Sequence, residues 1–308
     1  MATPLPSTSG DAREDHAQQI GAHVGAAVAQ AELAVIATVA MLAKRVATGS
    51  LLPTVARKQL ARTTDTVLTA AVHRALLADR QLPADLAPSF EAAVQSAAVS
   101  AQDALAAATA SPQQPAASVP RIRVAQLALD ALAAQGLVGF VDRAGRRWNL
   151  AGYAEMATRT AVSNAWDERQ ADELTRIGVD LVVVGTHSTE GSCRLCRPWL
   201  GRSLSLTGAT PGFPTLADAK ATGFRHPNCR CSWGTPGMLT AVPSPTDLAR
   251  SAAAYTAAQR QRTLDRRQRA AHRRMAAAVT PQARTTARRE LGLIRLDLRR
   301  RQHPFRER

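Results

Sequence analysis

The chain has 308 residues, enough to bury a full core and to form two domains. It carries a formal net charge of +15 and only 4% aromatic residues, which argues against base recognition on an aromatic platform. No uncharged run of about 18 apolar residues occurs, and the first residues lack the basic-then-apolar order of a secretory signal, so neither a membrane span nor secretion is expected.

Residues 1–10 read as a disordered lead-in. Residues 11–110 are rich in alanine and leucine, both strong helix formers, and are expected to form a helical domain. Pro53 suits the first turn of a second helix running to about Asp79. Ser89 suits the cap of a third. The Ser-, Pro- and Gln-rich stretch 111–120 reads as a linker.

Residues 121–240 change texture and read as a small α+β core. A helix from Arg121 is closed by Gly136. A hairpin follows, with Phe140, Val141 and Asp142 on one arm, a turn at Gly145, and Arg147 and Trp148 on the return. Asn149 caps a long helix that stops at Gly178. "DLVVVGTHS" reads as a buried strand and "RSLSL" as a second. Thr215 caps a short helix stopped by Gly223. Residues 241–308 form a basic tail of two helices, starting at Ser244-Pro245 and at Thr280-Pro281. The fold class expected is therefore mostly α with a small α+β core.

All four cysteines fall in one window: Cys193 and Cys196, then Cys229 and Cys231, with His226 beside the second pair. In a reducing cytosol such pairs mean metal more often than disulfide. Zinc takes four N or S ligands in a tetrahedron, commonly from two short-spaced knuckles. Cys193 and Cys196 form one knuckle; His226, Cys229 and Cys231 supply the other, one ligand in excess, with His187 a further candidate. A structural Zn2+ would then clasp the two ends of a strand–helix unit. The alternatives are buried free thiols, a disulfide, or a thiol–imidazole pair of Cys229 with His187 or His226.

The order of these features resembles the Mu F-like group of phage minor capsid and head-morphogenesis proteins. The resemblance lies in the Asp-x-x-Gly-x-x-Trp hairpin (Asp142, Gly145, Trp148), the Tyr153 to Met156 and Arg159-Thr160 of the following helix, and His187 before the first knuckle. It continues in "PWLGR" and "HPNCRC" and covers about residues 125–275. It implies a minor structural protein of a tailed-phage head, from a phage of a GC-rich, actinobacterial host. Such a protein acts in procapsid assembly, with the portal protein, procapsid components and packaged DNA as partners. Its place would be inside the head near the portal vertex, with the host cytoplasm as the site of assembly. No enzyme, membrane or small-molecule substrate is implied. Tyr153, Met156 and Thr160 read as core-facing, and Arg159 stands four residues after Glu155, the spacing of a helix ion pair.

Residues 241–308 hold 17 basic and 5 acidic side chains, a net of +12. Arg266, Arg267, Arg269, Arg273 and Arg274 crowd one helix, and Arg299, Arg300 and Arg301 close the next. Phosphate neutralises such a run through counterion release, which makes these arginines the candidate nucleic-acid contacts. Two other function classes stay open on the residues: a zinc-knuckle DNA-binding protein with a basic helical tail, and a Cys/His hydrolase or capsid maturation protease.

Overall fold

The computed structural model describes residues 10–77, 82–83, 86–110, 120–185, 191–235 and 245–302. Among them the chain is mostly helical, with a few short strands. The helices are α1 (Gly10–Ala47), α2 (Pro53–Leu77), α3 (Leu86–Thr109), α4 (Arg121–Gln135), α5 (Leu150–Arg176), α6 (Leu216–Ala221), α7 (Pro245–Ala277) and α8 (Pro281–Gln302). The strands are β1 (Val138–Val141), β2 (Arg147–Asn149), β3 (Leu181–Val184), β4 (Ser203–Ser205) and β5 (Trp233–Gly234). This is the mostly α fold with a small α+β core that the sequence predicts.

Two compact units form. One comprises Met1–Ala22, Gln81–Leu86 and Met156–Gln261, and the other His23–Arg80, Ala87–Glu155 and Arg262–Arg308. Each of the sequence segments 11–110, 121–240 and 241–308 supplies residues to both units. The stretch Glu14–Ala47 of α1 is long and apolar enough to cross a membrane by composition, and half of its most apolar window is buried inside the protein. Core helices of soluble proteins share that composition.

The first unit is built on a three-stranded antiparallel sheet, order β4-β3-β5. Leu181 pairs with Ser205 and Val183 with Ser203, while Val184 pairs with Trp233 on the other edge. Val182, Val184, Leu204, Phe224 and Trp233 are buried together with all four cysteines. Burying each large apolar side chain contributes about 1.5–3 kcal/mol. Asp180 ties the strand entry to the following turn: it accepts hydrogen bonds from Ser205 Oγ (2.7 Å), Thr207 N (2.8 Å), Thr207 Oγ1 (2.6 Å) and Thr210 Oγ1 (2.5 Å). Thr215 and Asp218 make a reciprocal capping box at α6.

In the second unit, β1 and β2 form the expected hairpin. Asp142 accepts from Ala144 N, Arg146 N and the Trp148 indole, so one carboxylate shapes the turn and docks the tryptophan. Asn149 Oδ1 caps α5 through Gly152 N at 2.7 Å. Tyr153 stacks on Phe140 and meets Phe90 edge-on. Gly136 ends α4 at φ 78°, and a Cβ there would lie 2.4 Å from Glu32 Oε1. That oxygen accepts from Leu137 N at 2.7 Å. Gln126 Oε1 receives Val279 N and Thr280 N, which fixes the turn from α7 to α8.

Candidate metal centre

The sheet register brings the two cysteine knuckles together. The first follows the C-terminal end of β3, and the second precedes β5, which runs antiparallel to β3 from that same end. Gly191 opens the first knuckle at φ 65°, and a Cβ there would lie 1.9 Å from the Ser251 carbonyl oxygen of α7. Only glycine permits that approach. Ser192 N then donates to Ser251 Oγ at 2.8 Å. Cys193 and Cys196 lie on the turn that leads into a 3-10 turn at Arg197–Trp199, with Arg197 N donating to Cys193 O at 2.9 Å.

The second knuckle is bent by two non-glycine residues at positive φ, Arg225 (57°) and Asn228 (67°). Asn228 N donates to Thr160 Oγ1 at 2.9 Å, and Arg159 Nη1 donates to Asn228 Oδ1. Thr160 is therefore half-buried against this loop, whereas Arg159 is 3% exposed. Arg225 is buried too. It donates to Asp167 Oδ2 (2.8 Å), Glu14 Oε1 (2.5 Å) and the Cys231 carbonyl (2.5 Å). Burial works against the Arg225 charge, but Asp167 and Glu14 outweigh it and push its pKa up. Burial pushes the Glu14 carboxyl up, opposed by Arg225.

Five donor atoms meet inside this frame. Cys193 Sγ lies 3.1 Å from His226 Nε2, and Cys196 Sγ lies 3.3 Å from Cys229 Sγ. Cys193, Cys196 and His226 have mutual ligand-atom distances within 4.8 Å, as do Cys196, Cys229 and Cys231. All four cysteines are buried and free of disulfides. His187 lies outside the described residues. The hydrogen bond from Cys196 holds the Cys193 thiol down to about 4, and a bond from Cys196 likewise holds Cys229 down to about 2. The cost is carried by Cys196, whose own thiol is pushed up by its contacts with Cys193, Cys229 and Cys231. Contact with Cys193 raises His226 to about 9. Contact with Cys196 lowers the Cys231 thiol, but Cys229 and burial outweigh it and raise it. A crowd of sulfurs with displaceable protons is the donor chemistry of a soft divalent cation. These clusters can hold a metal ion. The cluster also joins the end of the segment before β4 to the end of the segment after α6, the two ends of the strand–helix unit.

The model of the phage minor capsid protein 2 family matches residues 102–303. The chain belongs to that family. No curated protein and no solved structure matches it. Membership makes this minor capsid protein a structural component of the phage virion, associated with other head components. The match contains the whole Cys/His cluster and both basic helices, α7 and α8.

The arginines of this minor capsid protein divide into two sets. Arg266, Arg267 and Arg299 are exposed. Arg269 Nη1 donates to Glu155 Oε2 at 2.8 Å, and Arg274 Nη1 donates to Glu290 Oε1. Arg273 is 6% exposed. Its Nε donates to Ala133 O at 2.9 Å and its Nη2 to Ala134 O, so it caps the C-terminus of α4, with Glu32 4.0 Å away. Nothing is described of the side chains of Arg300 and Arg301. The buried roles of Arg225 and Arg273 have no signal in the sequence, because their partners are distant along the chain.

Proposed function

We propose that this minor capsid protein acts in procapsid assembly of a tailed phage, inside the head near the portal vertex, in contact with the portal protein, procapsid components and packaged DNA. Assembly takes place in the host cytoplasm. The protein serves a structural rather than a catalytic role, and a structural Zn2+ closes its Cys/His cluster. The family match carries the reading. The burial of the cluster supports it: the thiol in contact with His226 is that of Cys193 rather than Cys229, and Cys196 lies within 4.8 Å of both and links them to Cys229 and Cys231 inside a hydrophobic core. That arrangement suits a closed metal site better than a nucleophile awaiting substrate.

The basic tail supports DNA contact through Arg266, Arg267 and Arg299, which are exposed. Neutralising phosphate with such groups gives salt-sensitive binding that does not depend on base sequence. The experiment is mass spectrometry of purified procapsids and of mature heads. This chain is expected in both, with cross-links to the portal protein. Its absence from heads overturns the assembly role. Cross-links to the outer shell alone overturn the portal-proximal position.

A further inference from the structure

We infer that the bound metal is held by Cys193 Sγ, Cys196 Sγ, His226 Nε2 and Cys229 Sγ, and that Cys231 remains a hydrogen-bonded thiol beside the site. This rests on the metal-centre reading above and selects four ligands from five.

The contacts come as two crossed pairs, each taking one donor from either knuckle: Cys193 with His226 at 3.1 Å, and Cys196 with Cys229 at 3.3 Å. Around tetrahedral zinc, S and N ligands stand about 3.5 Å apart and two sulfurs about 3.8 Å apart. Each pair opens by about half an ångström to admit the ion, and the two groups of three donors, which share Cys196, must close on one another so that Cys229 comes to the same ion as Cys193 and His226.

His226 is oriented as a ligand. Its Nδ1 lies 2.8 Å from the Pro227 carbonyl oxygen. A carbonyl only accepts, so Nδ1 carries the proton and donates. Nε2 is then the nitrogen whose lone pair is free to bind a metal, and it is the one turned to the Cys193 sulfur. A backbone carbonyl fixing the distal nitrogen in this way is the usual support of a metal-bound imidazole.

Cys231 is committed elsewhere. Its Sγ donates to Ser192 Oγ at 3.3 Å, and its carbonyl is held by Arg225 at 2.5 Å. Its own N–H donates to Cys229 Sγ at 3.4 Å, which supports negative charge on Cys229. Charge points the same way. Three thiolates, one imidazole and a dication leave a net of about −1 in the core, and a fourth thiolate would leave about −2. The nearby cation, Arg225, is already shared between Glu14 and Asp167. Cys231 nevertheless lies within 4.8 Å of Cys196 and Cys229, so a four-sulfur centre is the direct competitor.

The test is X-ray absorption on the full-length wild-type chain loaded with Zn2+. The expected shell is three sulfurs at about 2.3 Å and one nitrogen at about 2.0 Å. Cys231→Ala is expected to retain one equivalent of zinc with the same shell, and His226→Ala to lose the nitrogen and bind at least about tenfold more weakly. A four-sulfur shell in the wild type overturns the ligand set while leaving the metal centre standing. A folded wild-type chain that binds no zinc overturns both. The wild-type spectrum decides the sulfur count, and Cys231→Ser, which keeps a polar partner for Ser192, repeats the Cys231 arm where alanine misfolds; loss of zinc from a folded Cys231 variant overturns the ligand set.

Discussion

Asn228 sits at φ 67°, and its backbone N–H is received by Thr160 Oγ1 at 2.9 Å. One helix hydroxyl thus holds the left-handed bend that aims His226 and Cys229 inward. Thr160→Val removes the acceptor and is expected to destabilise the protein by about 1–2 kcal/mol in denaturant unfolding. Asn228→Gly is expected to cost less than Asn228→Ala, because glycine adopts positive φ without strain. Equal costs would show that the side-chain bond to Arg159, lost in both variants, outweighs the backbone bend.

Arg225 neutralises Glu14 and Asp167 where water does not reach. Arg225→Leu leaves two carboxylates buried beside an apolar group and is expected to destabilise by about 3–5 kcal/mol. Adding Glu14→Gln is expected to recover part of that loss, a coupling that a double-mutant cycle reads directly. Strict additivity would mean the two side chains act independently.

Asp180 gives a pH signature. Its hydrogen bonds from Thr207, Thr210 and Ser205 hold its carboxyl below the usual 3.8. A folded value below the unfolded one stabilises at pH above the unfolded pKa, and the gain is lost as pH falls through the folded one. The melting temperature of the wild type is expected to drop between about pH 5 and pH 2 more steeply than that of Asp180→Asn. Parallel curves would remove Asp180 from the account of acid sensitivity.

The arginine sets separate by experiment. Replacing Arg266 and Arg267 with Gln is expected to reduce the slope of log affinity for duplex DNA against log salt by about 2, with unfolding unchanged. Arg273→Gln is expected to lower stability by about 3 kcal/mol by stranding Glu32 and the α4 carbonyls. Equal salt slopes for the double variant and the wild type would take Arg266 and Arg267 out of the DNA interface.

Chelation tests the cluster as a whole. With metal bound, the four thiols are expected to react slowly with an aromatic disulfide reagent. After exhaustive chelation they are expected to react within minutes and the melting temperature to fall. Equal rates before and after chelation would indicate that no metal guards the sulfurs.

Local punctuation is the part of this fold most legible in the sequence. Gly136, Asn149, Gly178 and the Thr215–Asp218 box act through neighbours a few residues away, and each ends or starts its helix as read. The two-residue β5 was missed because it exists only through pairing with β3. The cysteines and His226 were legible as a set. The crossing of Cys193 to His226 was not, because it depends on sheet register and on a loop bent by Arg225 and Asn228. Arg159 read as half of a helix ion pair with Glu155; in the structure it grips Asn228, a partner 69 positions away. Arg273 read as a candidate nucleic-acid contact, and the structure buries it instead, because its partners, Glu32 and the end of α4, lie far away in the chain.

The Glu14–Arg225 pair spans 211 positions. A ribosome making this chain exposes Glu14 long before Arg225 has been polymerised. Until then the N-terminal acid has no counter-charge and the unit it belongs to cannot close. Closure of that unit therefore comes late in synthesis, with the long loop closure that slows non-local topologies. A nascent chain stalled before residue 225 should stay protease-sensitive around Glu14, and one released past the end of that unit should not.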